Sequence, residues 1–333
     1  MSELYELDPL LVEQSIESWV ITKCDDWRDH YESNYSYRFD EYYRLWRGIW
    51  DSADSERASE RSRIISPALQ QAVESNVAEL EEATFGRGKW FDVSDNLGDT
   101  QPEDVQFLRN KLTEDFEDCK VRKAVAECLI NSAVFGTGIG ELVIEEMKEM
   151  VPATQPIMGG ELQAVGVNIQ ERVKVKLKPV MPQNFLIDPV STSVEDAMGV
   201  AIDEFVSSHI VEQLQESGVY NDMYIGTASS DFDIEPDTEL TVHEDDKTRL
   251  TKYYGLVPRH LLEAELDYEL EDDEKDGYYI EAVVIIANEG YLLKAEPSPY
   301  MMKDRPVVAF PWDVVPSRFY GRGVCEKGYN SQK

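Results

Sequence analysis

Residues 133–147 read Ala133-Val134-Phe135-Gly136-Thr137-Gly138-Ile139-Gly140-Glu141-Leu142-Val143-Ile144-Glu145-Glu146-Met147. Up to Phe135 the apolar residues keep helical spacing: Val125, Cys128, Leu129 and Val134 share one face of a helix predicted over Val121–Phe135. After the glycines the period changes, and Gly140–Met147 reads as a strand. Helix first and strand second is the reverse of a dinucleotide-binding loop, where the strand comes first so that the following helix N-terminus meets the phosphate. No Gly-Lys-Ser/Thr follows either, so the stretch is no P-loop. It reads as a joint between a helical part and a β part.

Toward the N-terminus the signal stays helical. Asp8-Pro9 offers an N-cap followed by a first-turn proline. Val12, Ile16, Trp19, Val20, Trp27, Tyr31, Tyr35, Tyr42, Trp46 and Ile49 recur at steps of three, four or seven. They form one aromatic-rich helical stripe, interrupted near Ser33–Ser36. Such a stripe ordinarily packs on its own domain; the alternative is a neighbouring subunit, since aromatic residues are enriched at interfaces. Asp51–Arg63 reads as an exposed loop. Further helices are predicted over Pro67–Thr84, ended by Gly86 and Gly88, and from Pro102 to Asp118, with a short strand at Lys89–Val93 between them.

Toward the C-terminus the elements are mostly extended. A turn is predicted over Pro152–Gly160, and strands over Val167–Val180, Phe185–Ile187, Gly199–Val206 and Arg249–Val257. Tyr279–Ala287 and Tyr291–Ala295 make a hairpin across Asn288-Glu289-Gly290. Short helices fall at Ile210–Glu216 and Arg259–Leu266. Asn221–Glu239 reads as a polar surface insertion and Asp267–Asp276 as a solvated acidic loop. The fold class is therefore α+β, N-terminal helices followed by a mainly antiparallel β region. The expected parts are 1–135, 136–316 and 317–333; the first two either divide near Phe135–Gly138 or share one core.

Composition narrows the function. The 333 residues, 42% of them hydrophobic, suffice for a substantial core. Acidic residues outnumber basic ones 66 to 32, a formal net charge of −34. Affinity for nucleic acid through phosphate neutralisation needs clustered Lys and Arg, so such gripping is not expected. An acidic wall would instead let a duplex slide past; otherwise the charge serves solubility. Cys24, Cys119, Cys128 and Cys325 form no Cys-x-x-Cys pair, which points to a reducing compartment. No run of about 18 apolar residues predicts a membrane span. Met1–Leu7 is acidic and unlike a signal peptide, so a cytosolic site of synthesis and assembly is expected.

The search for chemistry returns little. His30, His209, His243 and His260 are far apart and without metal-ligand spacing. Among so many carboxylates only Asp188 stands out, after Phe185-Leu186-Ile187, and an Asp before a proline more often makes a turn. No catalytic, cofactor-binding or metal-binding residue is assigned, no cofactor is expected, and neither ATP nor DNA should be hydrolysed. One charge pattern remains: Arg172, Lys174, Lys176 and Lys178 alternate with Val173, Val175 and Leu177. On a strand the four cations share one face and the apolar residues the other. The apolar three are predicted buried, so that Val175→Asp would be strongly destabilising. The cations are candidate inter-subunit or partner contacts, meeting carboxylates of the same or the next subunit; a merely solvated face and direct DNA contact are the other readings.

Five segments, in order, resemble portal proteins of tailed phages, short-tailed ones especially. They are Tyr42-Tyr43-Arg44-Leu45-Trp46, Ala133-Val134-Phe135-Gly136-Thr137-Gly138, Pro182-Gln183-Asn184-Phe185-Leu186-Ile187-Asp188-Pro189, Val194-Glu195-Asp196-Ala197 and Ser317-Arg318-Phe319-Tyr320-Gly321-Arg322-Gly323. The resemblance implies an α+β "wing" in a ring of usually twelve subunits at a head vertex, acting as head–tail connector, without catalytic activity and located in the virion. It implies the terminase motor, the major capsid and scaffolding proteins, and a tail adaptor as partners, with double-stranded DNA passing through the channel and no membrane. It also implies that Gly321 and Gly323 form a hinge into a channel helix starting near Val324. Family chains continue beyond such a segment, so a helix ending at Lys333 is expected to be disordered or to depend on neighbouring subunits. The competing readings are another acidic head–tail adaptor or assembly protein and a carboxylate-dependent metal nuclease.

Overall fold

The computed structural model describes residues 15–49, 67–86, 88, 90–95, 101–156, 162–225, 247–266, 277–288, 290–300 and 304–332. The expectations for Asp8-Pro9, Val12, Asp51–Arg63, Asp267–Asp276 and most of Asn221–Glu239 lie outside them.

The aromatic stripe folds as helix α1 (Ile16–Tyr31), a π-turn (Glu32–Ser36) and α2 (Tyr37–Arg47), so the predicted interruption is one wide turn. Ser15 caps α1, its hydroxyl accepting from the Ser18 N–H at 3.2 Å. Helices α3 (Ala68–Phe85), α4 (Pro102–Asp118) and α5 (Val121–Phe135) follow. Between α3 and α4, Trp90–Asp95 is not a strand. Trp90 and Phe91 instead pack against Phe116, tilted and edge-on, at ring separations of 5.2 and 5.0 Å, and Trp90 also meets Phe85 at 5.3 Å. An aromatic cluster between two helix ends outweighs β propensity here.

Two antiparallel sheets follow. The first has the order β2-β1-β8, from β1 (Thr137–Pro156), β2 (Leu162–Val180) and β8 (Val307–Pro311). The turn predicted at Pro152 is displaced, because β1 runs on to Pro156 and Pro152 faces Val167 in the ladder. Proline is tolerated on an edge strand, and β8 pairs β1 only over Thr137–Glu141. The second sheet has the order β3-β4-β5-β6-β7, from β3 (Phe185–Ile187), β4 (Gly199–Ser207), β5 (Lys247–Pro258), β6 (Tyr279–Ala287) and β7 (Tyr291–Pro297). Helix α6 (Ser208–Glu216) follows β4, and α7 (Arg259–Leu266) follows β5. At the β6–β7 turn Asn288 takes φ 45°, and its side-chain oxygen accepts from the Arg249 N–H at 3.0 Å.

Both faces of the five-stranded sheet are buried. On one, Ala282, Val284 and Ile286 of β6 join Trp19, Val20 and Trp27 of α1 and Leu262 of α7. Tyr253 lies between the two tryptophans, stacked on Trp27 at 6.0 Å and edge-on to Trp19 at 6.2 Å. The stripe of α1 therefore packs on its own chain. On the other face Val283, Ile285 and Ala287 join Phe39, Val73, Phe135, Ile139 and Cys325. That second core spans residues on both sides of position 135. The class is α+β, with helices first and antiparallel sheets after.

Helix α8 (Val324–Gln332) corrects an expectation. It begins where predicted, and it is an ordered helix packed within the chain. Cys325 is fully buried, Tyr329 meets Tyr42 at 5.9 Å and hydrogen-bonds Glu41, and Gly328 lies against Leu69. Packing on α2, α3 and α5 supplies what a short helix lacks alone.

The strand carrying Arg172, Lys174, Lys176 and Lys178 brings a second correction. The alternation is present, but Val173 and Val175 are 60% and 51% exposed and Leu177 is only half-buried. The apolar face is covered only near its base, where Leu177 and the Cys128 thiol flank Gly140. Beyond that point, among the described residues, Val173 and Val175 are left exposed on the face that alternation marks as apolar.

Candidate functional site

The segment Gly136-Thr137-Gly138 and the segment Tyr320-Gly321-Arg322-Gly323 meet in space and form a backbone clasp at the root of α8. Gly136 ends α5 with φ 98°, and its N–H donates to Ser132 O at 2.8 Å. Its carbonyl accepts from the Trp312 N–H at 2.9 Å. The Gly321 N–H donates to the Thr137 hydroxyl at 2.9 Å, and the Arg322 N–H to Asp313 O at 2.9 Å. The chains touch so closely that a Cβ on Gly136 would lie 2.1 Å from Gly321 O. One on Gly321 would lie 2.6 Å from Gly136 O, and one on Gly323 2.7 Å from Ala133 O. The glycines read from sequence as a hinge are thus buried packing residues, each leaving room for another backbone.

Side chains reinforce the clasp. Arg318 donates to Tyr320 O at 2.5 Å and to Gly321 O at 2.9 Å, and reaches Glu326 on α8 at 3.4 Å. Tyr320 is buried against Tyr35 at 4.8 Å and Phe39 at 5.2 Å, and Phe39 meets Phe135 at 5.5 Å. Between buried glycines, Arg322 alone points to solvent. A cavity of about 390 Å³ lies beside the clasp, bounded by Trp27, Tyr35, Asp188, Arg318 and Phe319. Asp188 behaves as a turn residue: its carboxylate accepts from the Val190 N–H at 3.2 Å, and its carbonyl from the Ser191 N–H at 3.0 Å.

Two buried charge networks lie in this body: one, around Asp203, ties the five-stranded sheet to α1, and the other, around Glu141, joins the two sheets. Asp203 accepts from Arg249 at 2.6 Å, from the Thr251 hydroxyl at 2.7 Å and from Arg28 of α1 at 3.1 Å. Glu141, only 1% exposed, accepts from Lys252 at 3.2 Å and from the Tyr254 hydroxyl at 3.1 Å. Lys252 also pairs with Glu204 at 2.8 Å. The basic strand feeds this network: Lys178 pairs with Glu204, Lys176 with Glu145 and, at 3.6 Å, Lys174 with Asp118. Arg172 faces Met147 in the backbone ladder. Periodicity could place the cations on one face, but not name Glu204 or Asp118, which tertiary folding brings there from 26 and 56 residues away in sequence (204 − 178 and 174 − 118).

Burial alone would raise the Glu204 carboxyl, but Lys252 and Lys178 outweigh it and hold the group below its ordinary value. Burial likewise opposes the charge on Lys252, while Glu141 and Glu204 raise it above the ordinary lysine value. A lowered carboxyl stabilises the fold above its unfolded pKa, and that contribution is lost as pH falls through the folded value. For Lys252 it is lost as pH rises through its raised value. The gap in unfolding midpoint between the native chain and Glu204→Gln should therefore shrink on acidification from about pH 5 to about pH 3. A gap independent of pH over that range would remove Glu204 from the ionic network.

Three of the four thiols are held silent. Burial pushes the thiols of Cys24, Cys128 and Cys325 up to about 12, far from thiolate formation at neutral pH. Among the described residues no group of three His, Cys, Asp or Glu side chains is placed to hold a metal ion, and no helix is long and apolar enough to cross a membrane. The body is α+β, clasped by glycines around the root of a C-terminal helix and tied by buried ion pairs. The family model described as the phage SU10 portal protein matches residues 122–333, and the chain belongs to that phage portal family. The match begins one residue into α5 and covers both sheets, both halves of the clasp and α8; Tyr42–Trp46 lies outside it. No curated protein matches the chain.

Proposed function

We propose that this chain forms the body of a ring at a phage head vertex, a channel through which double-stranded DNA is packaged and later ejected. The observation that carries the reading is the family match across both sheets and the clasp. The clasp suits the role, because it sets the direction in which α8 leaves the body by backbone contact rather than by long side chains. The acidity suits it too: a formal charge of −34 opposes adhesion of phosphates to a wall they must slide past. In this reading the body sits in the virion after assembly in the host cytoplasm. Its partners are further copies of itself, usually twelve to a ring, then the terminase, capsid and scaffolding proteins and a tail adaptor. It has no catalytic role, and the motor partner supplies ATP hydrolysis.

Electron microscopy of the purified chain, together with its mass in solution, tests this. Ring-shaped particles with a central hole are expected. A chain that stays monomeric at every concentration would defeat the reading. So would turnover of ATP or DNA that a single substitution in this chain abolishes.

A further inference from the structure

Three segments far apart in sequence, 27–35, 185–191 and 315–320, wall the cavity of about 390 Å³ beside the clasp. The wall is largely aromatic: Trp27, Tyr31, Tyr35, Phe185, Phe319 and Tyr320 all border it. Two irregular stretches of backbone meet there. Tyr35 lies in the π-turn Glu32–Ser36, and Ser317 takes φ 61°, a left-handed conformation that is costly for a residue with a side chain. Such strain collects at ligand-binding sites. Tyr31 and Tyr320 are 7% and 3% exposed, and the hydroxyl of neither has a hydrogen-bond partner among the described residues. A buried polar group without a partner is uncommon enough to need a reason. Val190 and Val314, 89% and 76% exposed, adjoin the lining residues Pro189 and Val315 in sequence and leave apolar surface beside the opening.

The polar groups of the wall select the ligand. Asp188 has no cationic partner among the described residues; its carboxylate accepts from the N–H groups of Val190 at 3.2 Å and Met198 at 3.4 Å. The Arg318 guanidinium, by contrast, is met by the carbonyls of Tyr320 and Gly321 and by Glu326. His30 adds ring surface, edge-on to Tyr35 at 6.0 Å. An aliphatic anchor would fill the volume but leave Asp188 and the two phenols as they are. An anion would face Asp188, in a chain of net charge −34. A guanidinium fits the whole set, because it is planar and weakly hydrated, stacks on aromatic faces and donates several hydrogen bonds to carboxylate or phenol oxygens. A lysine ammonium carries the charge without the flat faces. The apolar surface beside the opening gives contacts to residues flanking an arginine, which a free amino acid lacks. We propose that this cavity receives an arginine side chain from a basic segment of a partner protein, its guanidinium stacked on the aromatic wall and paired with Asp188. A net charge of −34 draws such a segment toward this chain.

Titration of the full chain with acetylated, amidated glycine pentapeptides that differ only in their central residue tests this, read by saturation-transfer NMR on the peptides. The arginine peptide should bind with a dissociation constant on the order of 1 mM, as a single side chain allows. The lysine peptide should bind about tenfold more weakly, and the leucine and glutamate peptides not detectably. Asp188→Asn should weaken the arginine peptide by about tenfold, with the thermal midpoint as the check on folding. Val190→Lys, at an exposed position, puts a cation beside the opening and should weaken it too without moving the midpoint. Lysine or leucine peptides binding as tightly as arginine would overturn the proposal, the first by showing general charge attraction and the second a merely apolar pocket. So would no binding of the arginine peptide up to about 10 mM. An arginine affinity unchanged in Asp188→Asn, or in Val190→Lys should the former misfold, overturns it as well. None of these results touches the ring reading, which depends on the particles seen by microscopy.

Discussion

Gly136→Ala is expected to destabilise the chain by about 3–5 kcal/mol, combining backbone strain with steric overlap. Two independent causes act at this position. Its φ of 98° lies where L side chains are strained. The added methyl would also lie 2.1 Å from the carbonyl oxygen of Gly321, a backbone atom that cannot rotate away. Relief requires the segment after Tyr320 to move, and that segment carries the Arg322–Asp313 bond and the start of α8. The thiol of Cys325, now fully buried, should become open to alkylation, read by mapping the modified peptide. Gly218→Ala separates the two causes. Its φ is 76°, but nothing lies within 4 Å of the new methyl, so strain alone should cost about 1–2 kcal/mol without exposing Cys325. Equal effects at the two glycines would show that the clasp contributes nothing beyond local strain.

Asp203→Ala should cost about 3–5 kcal/mol, because it removes the carboxylate facing a buried guanidinium. The Arg249 side chain is 5% exposed and lies 2.6 Å from Asp203. Arg28, which also pairs with Asp25 at 2.7 Å, is the more exposed of the two arginines. The double variant Asp203→Ala, Arg249→Met should be less damaging than Asp203→Ala alone, since it removes the buried guanidinium together with the carboxylate it faces. Denaturant midpoints measure both. A double variant as unstable as the sum of the two singles would mean that the pair does not act as a unit.

These sites were legible to different degrees. The order of elements was open to reading, because helical and strand periods differ and α5, α7 and α8 begin where their patterns begin. β8 was not: Val307–Pro311 is five residues that follow Pro306 and end in a proline, and only pairing with Thr137–Glu141 makes it a strand. The Lys89–Val93 reading failed because β propensity cannot foresee an aromatic cluster formed with Phe116, more than twenty residues away.

The basic strand shows the same division. Alternation sorts residues 172–178 into two faces with certainty, since successive side chains on a strand point opposite ways. It is silent on which face something will cover, and here Val173 and Val175 on the apolar face stay exposed among the described residues. The glycines Gly136, Gly321 and Gly323 are equally two-sided. Sequence marks them as places where a side chain is excluded, and flexibility is the simplest local reason. Only the meeting of segments 185 residues apart (321 − 136) supplies the actual one, two backbones in van der Waals contact at the root of a helix. Local periodicity, charge and motif order thus determined the α+β plan and the family resemblance, because these are properties of neighbours in the chain. Which face is buried, which acid meets which base and why the glycines are needed were decided by tertiary structure alone, because each depends on a partner that the chain brings from far away.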